Sequence, residues 1–385
     1  MKKRGKRIFL DYASITPLDQ ETAQEMRKAS EKLWANPSSL HLEGEEAKKA
    51  LEEARQRIAK ILHCRSNEVF FTSGGTESLN LAVLGVVGKF KDLKSEKLPH
   101  IITSSIEHPA VLEPVRHLVK IGRAEAGYVM PDGNGILNPE SIKREIKENT
   151  VLVAIQHANN EIGVIQPIRK IREAIENPKR PYLLVDASQS ALYENASIER
   201  LGADMLVLDG IKIYGPRGMG ILVVKHGTDI SPLVYGGGQE GGLRSGTENV
   251  PGALGLAKAL EIAEKVKEKE SKRLADLQAY AVSKILKEIP NSSLNGSLSN
   301  RLPNNINICI PGADSEFLVI KLDTLGFAVS AASACHTLTL ENGSYVIESL
   351  GKPGCASSSL RITLGRSTKK SDLDSFVSAL KKIIH

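Results

Sequence analysis

Short apolar runs alternate with amphipathic stretches along the first two thirds of the chain. Residues 45–62 repeat apolar positions at helical spacing and end near His63 and Cys64. Residues 69–72 read as a short strand that runs into Gly74 and Gly75, with a helix from Glu77. Further apolar strands are predicted at 100–103, 151–156, 182–186, 205–208 and 220–224, with helical stretches between several of them. Such alternation predicts a mainly parallel sheet with helices on both faces. A long helical stretch from about 251 to 289 carries Lys/Glu-rich faces and links this unit to a second one. There the pattern gives a strand at 304–310, a helix near 315–325 and a terminal helix from Lys370, a smaller α+β unit. No internal repeat or low-complexity tract interrupts the pattern.

A chain of 385 residues buries enough surface for a large core and a second, smaller one. The net charge of +6 is modest, and basic residues are interspersed with acids, as between Glu52 and Arg57. Without a basic arm or an aromatic-studded basic face, nucleic-acid binding is not expected. The basic run Lys2 to Arg7 reads as a solvated terminus, and the apolar stretch Ile8, Phe9, Leu10 behind it is far too short for a signal-peptide core. No other apolar run would span a bilayer, so the expected location is the cytoplasm. Four cysteines in so long a chain do not suggest a disulfide framework, and no ligand spacing suggests a metal site. Cys309, inside an apolar run, reads as a small buried hydrophobe, and Cys64 as structural. Cys335, among small residues at 330–336, reads as an accessible loop thiol, with Cys355 as its rival.

In open parallel sheets, ligands bind beyond the carboxyl ends of the strands, and the promising polar groups fall there. Lys212 follows the apolar run 205–208 in a Gly/Pro-rich turn, the way an amine is presented to an aldehyde cofactor. Asp186 ends a strand rich in Tyr, Leu and Val, where a buried carboxylate needs a cationic partner. Gly74, Gly75 and Thr76 open a helix whose free N–H groups suit a phosphate. Asn160 follows the strand 151–156 and offers an amide, and Glu107-His108 follows the strand near Ile102.

In chain order the motifs are Leu10-Asp-Tyr-Ala13, Asn36-Pro-Ser-Ser39, Phe71-Thr-Ser-Gly-Gly-Thr-Glu77, Glu107-His108 and Asn159-Asn-Glu-Ile-Gly163. Asp186-Ala-Ser-Gln189, Lys212-Ile-Tyr-Gly-Pro216, Arg244-Ser-Gly-Thr247, Ser333-Ala-Cys335 and Leu360-Arg-Ile-Thr-Leu-Gly-Arg366 complete them. The series resembles, nearly end to end, the NifS/IscS-like cysteine desulfurases, in the class V aminotransferase group of fold-type I pyridoxal 5'-phosphate (PLP) enzymes. The resemblance implies a large PLP-binding domain over 16–255 and a small domain formed by 1–15 and 256–385, which carries the cysteine loop. It implies conversion of L-cysteine to L-alanine, with the sulfur held as a persulfide on Cys335. In this reading Lys212 binds the cofactor covalently and moves the α-proton, and Asp186 keeps the ring nitrogen protonated. His108 stacks on the ring, Asn160 and Gln189 bond its oxygen, and Gly75 and Thr76 hold the phosphate, with Thr247 reaching in from a second subunit of a homodimer. Arg361, helped by Asn36, clamps the substrate carboxylate. Cys335 attacks the substrate sulfur, and its longer-loop context implies delivery to a persulfide-accepting protein, of scaffold or tRNA-thiolation type.

One departure stands out. The family usually has Ser-x-His immediately before the lysine, supporting the phosphate, whereas this chain has Asp209 and Ile211. Like charges roughly 4 Å apart cost about 4 kcal/mol at an effective dielectric of about 20, so an ionised Asp209 should not face a phosphate. A smaller departure is Ile15, where a threonine is common. The altered cup leaves a second reading, a desulfurase-like binding or scaffold protein with a weakened PLP site; a selenocysteine lyase-type variant is a further, separate reading.

Overall fold

The computed structural model describes residues 7–92, 97–176, 180–331 and 343–384. The chain opens with β1 (Ile8–Phe9), α1 (Gln20–Lys32) and α2 (Leu42–Leu62). The alternating region follows as β2 (Val69–Thr72), α3 (Gly75–Asp92), β3 (His100–Ser104), α4 (Pro109–Lys120), β4 (Glu125–Val129) and α5 (Pro139–Glu145). It continues with β5 (Thr150–Gln156), α6 (Ile168–Ala174), β6 (Tyr182–Asp186), α7 (Ile198–Leu201), β7 (Met205–Asp209) and β8 (Gly220–Val224). The long α8 (Val250–Glu288) leads to β9 (Ser293–Leu294), β10 (Asn305–Cys309), α9 (Ser315–Thr324), β11 (Phe327–Ala328) and β12 (Ser330–Ala331). Last come α10 (Tyr345–Ser349), α11 (Pro353–Ala356), β13 (Ser359–Thr363) and α12 (Lys370–Ile384).

The seven-stranded sheet has the order β2-β8-β7-β6-β5-β3-β4. Strands β7, β6, β5, β3 and β4 run parallel, as the alternation predicts, and β8 is antiparallel to both its neighbours. The turn that joins β7 to β8 is too short for the dozen or more residues a parallel crossover needs, so the chain must reverse there. Each central strand buries both faces with period two. Leu183 and Val185 of β6 enter one apolar cluster, and Leu184 enters the other. Val153 and Ile155 of β5 divide from Leu152 and Ala154 in the same way. Strands buried on both sides read as continuous apolar runs, which is why these were visible in the sequence. The edge strand β4, in which only Val129 is fully buried, gave no such signal.

Asn249 caps α8 by accepting from Gly252 N at 3.0 Å, and Pro251 fits the first turn, where no N–H partner is needed. The helix runs unbroken through position 255. Beyond it, β12-β13-β10-β9 form an antiparallel sheet, and β1 pairs in parallel with β11. The N-terminal strand therefore belongs with the C-terminal third.

The cysteine expectation needs correcting. Cys309 and Cys355 form a disulfide, so Cys309 is not merely a small hydrophobe and Cys355 is not a rival free thiol. Strand register is the reason: Cys309 pairs with Ser359, whose Oγ donates to Cys355 O at 2.6 Å. That contact brings the α11 thiol against β10. Cys64 is free, and burial pushes its thiol up to about 12.

Candidate active site

A cavity of about 140 Å³ opens at the carboxyl ends of β5, β6 and β7. Lys212 reaches it from the end of a single 3-10 turn, Gly210–Lys212, directly after β7. The turn is tight: a Cβ on Gly210 would come within 2.7 Å of the carbonyls of Met219 and Pro216. Tyr214 takes a left-handed conformation, φ 60°, unusual for a residue of its size. The segment from Asp11 to Asp19 holds this geometry. Thr16 N donates to Ile211 O at 2.8 Å, and Thr16 Oγ1 accepts from Tyr214 N at 2.7 Å. Lys212 Nζ donates to the carbonyls of Ala13 and Ser14 at 2.8 and 2.6 Å.

Asp186 ends β6 between Gln156 and Val207, and its Oδ1 accepts from Ser188 N at 3.0 Å. Gln189 donates to the same Ala13 carbonyl that Lys212 uses, at 3.0 Å. His108 caps α4, its Nδ1 accepting from Ala110 N at 3.0 Å, and its ring lines the cavity. Asn160 Oδ1 is buried without a hydrogen-bond partner at the cavity wall. Gly75 and Thr76 begin α3 and line the same cavity.

Arg361 comes from β13, so the second sheet completes the cavity. It is buried, and donates to Asn160 O at 3.0 Å, Asp11 Oδ1 at 3.0 Å and Ser14 Oγ at 2.7 Å. Its Nε is buried without a partner. Ser14, Thr16 and Asp11 were missed as site residues. The motif around Leu10-Asp-Tyr-Ala13 was the available signal, but nothing local shows that it wraps a turn about 200 residues away.

Two buried carboxyls underlie the cavity. Burial drives Glu107 up to about 8, against donation from Ser104 Oγ and Gln156 N, and the charge of Asp186 adds to the rise. Burial likewise raises Glu161 to about 7, although Ser344 Oγ donates to it at 2.5 Å and Arg361 is near.

The structure brings Lys212, Asp186, Gln189, His108, Asn160, Gly75, Thr76 and Arg361 around one cavity. Asn36 is not brought there within this chain; it is exposed, and its Oδ1 accepts from Ser38 N at 2.9 Å. Thr247 is also exposed and outside the cavity. Cys335 lies outside the described residues.

The class V aminotransferase family profile matches residues 8–376. The chain belongs to this family. It is 42% identical over 380 residues to "Cysteine desulfurase IscS" of Dictyoglomus turgidum, covering 98% of this chain and 95% of that one. It is 40% identical over 377 residues to "Cysteine desulfurase IscS 1" of Archaeoglobus fulgidus, covering 98% and 96%. A solved NifS-like protein superposes with a TM-score of 0.91 at 32% identity, covering 98% of this chain and 99% of that one. Among the described residues, no helix is long and apolar enough to cross a membrane.

Proposed function

We propose that this class V family member is a PLP-dependent cysteine desulfurase. It converts L-cysteine to L-alanine, leaves the sulfur as a persulfide on Cys335 and passes it to an acceptor protein. The observation that carries this reading is the meeting of the Lys212 amine, the Asp186 carboxylate and the Arg361 guanidinium around one cavity. The similar Dictyoglomus and Archaeoglobus proteins both carry the name cysteine desulfurase, which supports the same reading here.

The donor set fits PLP. An amine lines the cavity for its aldehyde, a strand-end carboxylate for its ring nitrogen, the side-chain amide of Asn160 for its ring oxygen and a helix start for its phosphate. When bound, PLP supplies an electron sink conjugated to the substrate α-carbon. Lys212 both holds the cofactor and carries the proton at the α-carbon. Asp186 keeps a positive ring nitrogen paired, His108 covers the ring, and Asn160 with Gln189 bonds its oxygen. Gly75 and Thr76 donate to the phosphate, joined by Thr247 of a second subunit in a homodimer. Arg361 receives the substrate carboxylate, aided by Asn36. Its three partners, Asn160 O, Asp11 and Ser14, orient it.

Cys335, as a thiolate, forms an S–S bond to the substrate sulfur as the substrate C–S bond breaks. The electron pair of that bond stays with the carbon fragment, which takes up a proton and leaves as alanine. No external oxidant or reductant is required. The cofactor-binding unit is proposed to cover 16–255, with 1–15 and 256–385 as the smaller unit, and the protein to work in the cytoplasm. The test is direct. Cys335→Ser should keep the visible absorption of lysine-bound cofactor yet release no sulfide from cysteine, and Lys212→Ala should lose that absorption. Full turnover by Cys335→Ser, or unchanged absorption in Lys212→Ala, would overturn the assignment.

A further inference from the structure

The phosphate end of the cavity already contains an anion of the protein. Asp209 ends β7 against the first turn of α3: a Cβ on Gly75 would lie 3.1 Å from Asp209 Oδ2 and 3.4 Å from Ser188 Oγ. Oδ1 accepts from Ile211 N at 3.2 Å, and the Gly75 N–H also stabilises the carboxylate charge. The helix start that suits a phosphate is thus turned toward a side-chain carboxyl. The titratable groups that share its cavity are Lys212 on the same turn, Asp186 from β6, His108 from α4 and Arg361 from β13, with Glu77 of α3 paired to Arg244 at 2.9 Å. Burial, reinforced by Asp186, holds the Asp209 carboxyl above its ordinary range, although Ile211, Lys212 and Gly75 oppose the shift.

A phosphate monoester carries about 1.5 to 2 negative charges near neutral pH and repels an ionised carboxylate at the same helix start. Protonated, the same carboxyl becomes an O–H donor to it. We propose that the cofactor phosphate enters this cup only when Asp209 is protonated, so that binding takes up one proton and favours a phosphorylated ring less as pH rises. The proposal rests on the PLP reading of the cavity. It makes Asp209 the residue that sets how strongly this chain discriminates phosphorylated from unphosphorylated cofactor.

The sign follows from linkage. Where the apo carboxyl is ionised and the bound one is not, each pH unit weakens phosphate-dependent affinity by up to about tenfold. Pyridoxamine 5'-phosphate and pyridoxamine test this without covalent attachment to Lys212. Calorimetric titration of cofactor-free protein, in two buffers of different ionisation heat, counts the protons taken up. Asp209→Asn keeps an acceptor for Ile211 N but removes the titration, and Asp209→Ser repeats the comparison should the first variant fold poorly. At about pH 8 the affinity ratio of the phosphorylated over the unphosphorylated ring should rise at least about tenfold in either variant. Wild type should take up one more proton per phosphorylated ligand than the variants do. The phosphate's own titration is common to all the proteins and cancels. Equal ratios and equal proton uptake would overturn the proposal and leave the PLP reading standing. Failure of every folded protein to bind pyridoxamine 5'-phosphate would overturn both.

Discussion

Replacing Thr16 by Val should loosen the turn that presents Lys212 while preserving side-chain shape. Thr16 is buried, and its hydroxyl makes two contacts, one to Ile211 O at 2.8 Å and one from Tyr214 N at 2.7 Å. These losses are unequal. Ile211 O keeps the Thr16 N–H at 2.8 Å, so it stays satisfied, whereas the Tyr214 N–H loses the partner it has here. An orphaned buried donor costs about 1–3 kcal/mol. Tyr214 is also held left-handed, a conformation costing roughly 1–2 kcal/mol, so its release would recover part of that loss. Release is opposed, because Tyr214 OH accepts from Arg366 N at 2.9 Å and the Arg366 guanidinium sits 4.0 Å from the ring centre. The net expectation is a loss of about 1–2 kcal/mol in stability. PLP binding should weaken with it, because Lys212 sits between the two anchored residues, Ile211 and Tyr214. Urea denaturation and spectroscopic PLP titration measure the two effects, and Thr16→Ser, which keeps the hydroxyl, should restore most of both. Wild-type stability and PLP affinity in Thr16→Val would refute the view that this segment shapes the lysine turn.

Two further predictions concern the buried acids and the guanidinium. Glu107 is raised to about 8 and Glu161 to about 7, both chiefly by burial, so the folded state holds protons that the unfolded chain releases near its ordinary carboxyl range. Stability should therefore fall as pH rises through these values; His157, lowered to about 4 by burial, opposes that trend only below its ordinary range. Glu107→Gln should flatten the fall between about pH 6.5 and 8, and an unchanged slope of denaturation midpoint against pH in that window would count against a neutral Glu107. Arg361→Lys should lower kcat/KM for cysteine about 10- to 100-fold, because an ammonium cannot hold Asn160 O, Asp11 and Ser14 while also forking a carboxylate. Wild-type steady-state kinetics in that variant would remove Arg361 from substrate binding.

The site was legible in the sequence where its chemistry sits at the end of a strongly patterned strand. Lys212, Asp186 and His108 each follow an apolar run, and the carboxyl ends of such strands converge in any parallel sheet. Asn36 and Thr247 show the limit of that rule, for neither reaches the cavity within one chain. The antiparallel course of β8 was also open to inference, because the connection behind Lys212 is short. What stayed hidden were contacts between segments far apart in sequence: Ala13 and Ser14 on Lys212, Asp11 on Arg361, and Ser344 on Glu161.

Residue periodicity and local composition by themselves determined the alternation of strands and helices, the apolar runs buried on both faces and the lysine turn. Those features depend on neighbours within a few positions, so they are written in short windows. Only the tertiary structure decided that Cys309 meets Cys355, that Arg361 of the second sheet closes the cavity of the first, and that Asp209 lies against the start of α3. Each of these follows from strand register and from how separate elements pack, and a one-residue change in register would undo them without altering any local pattern.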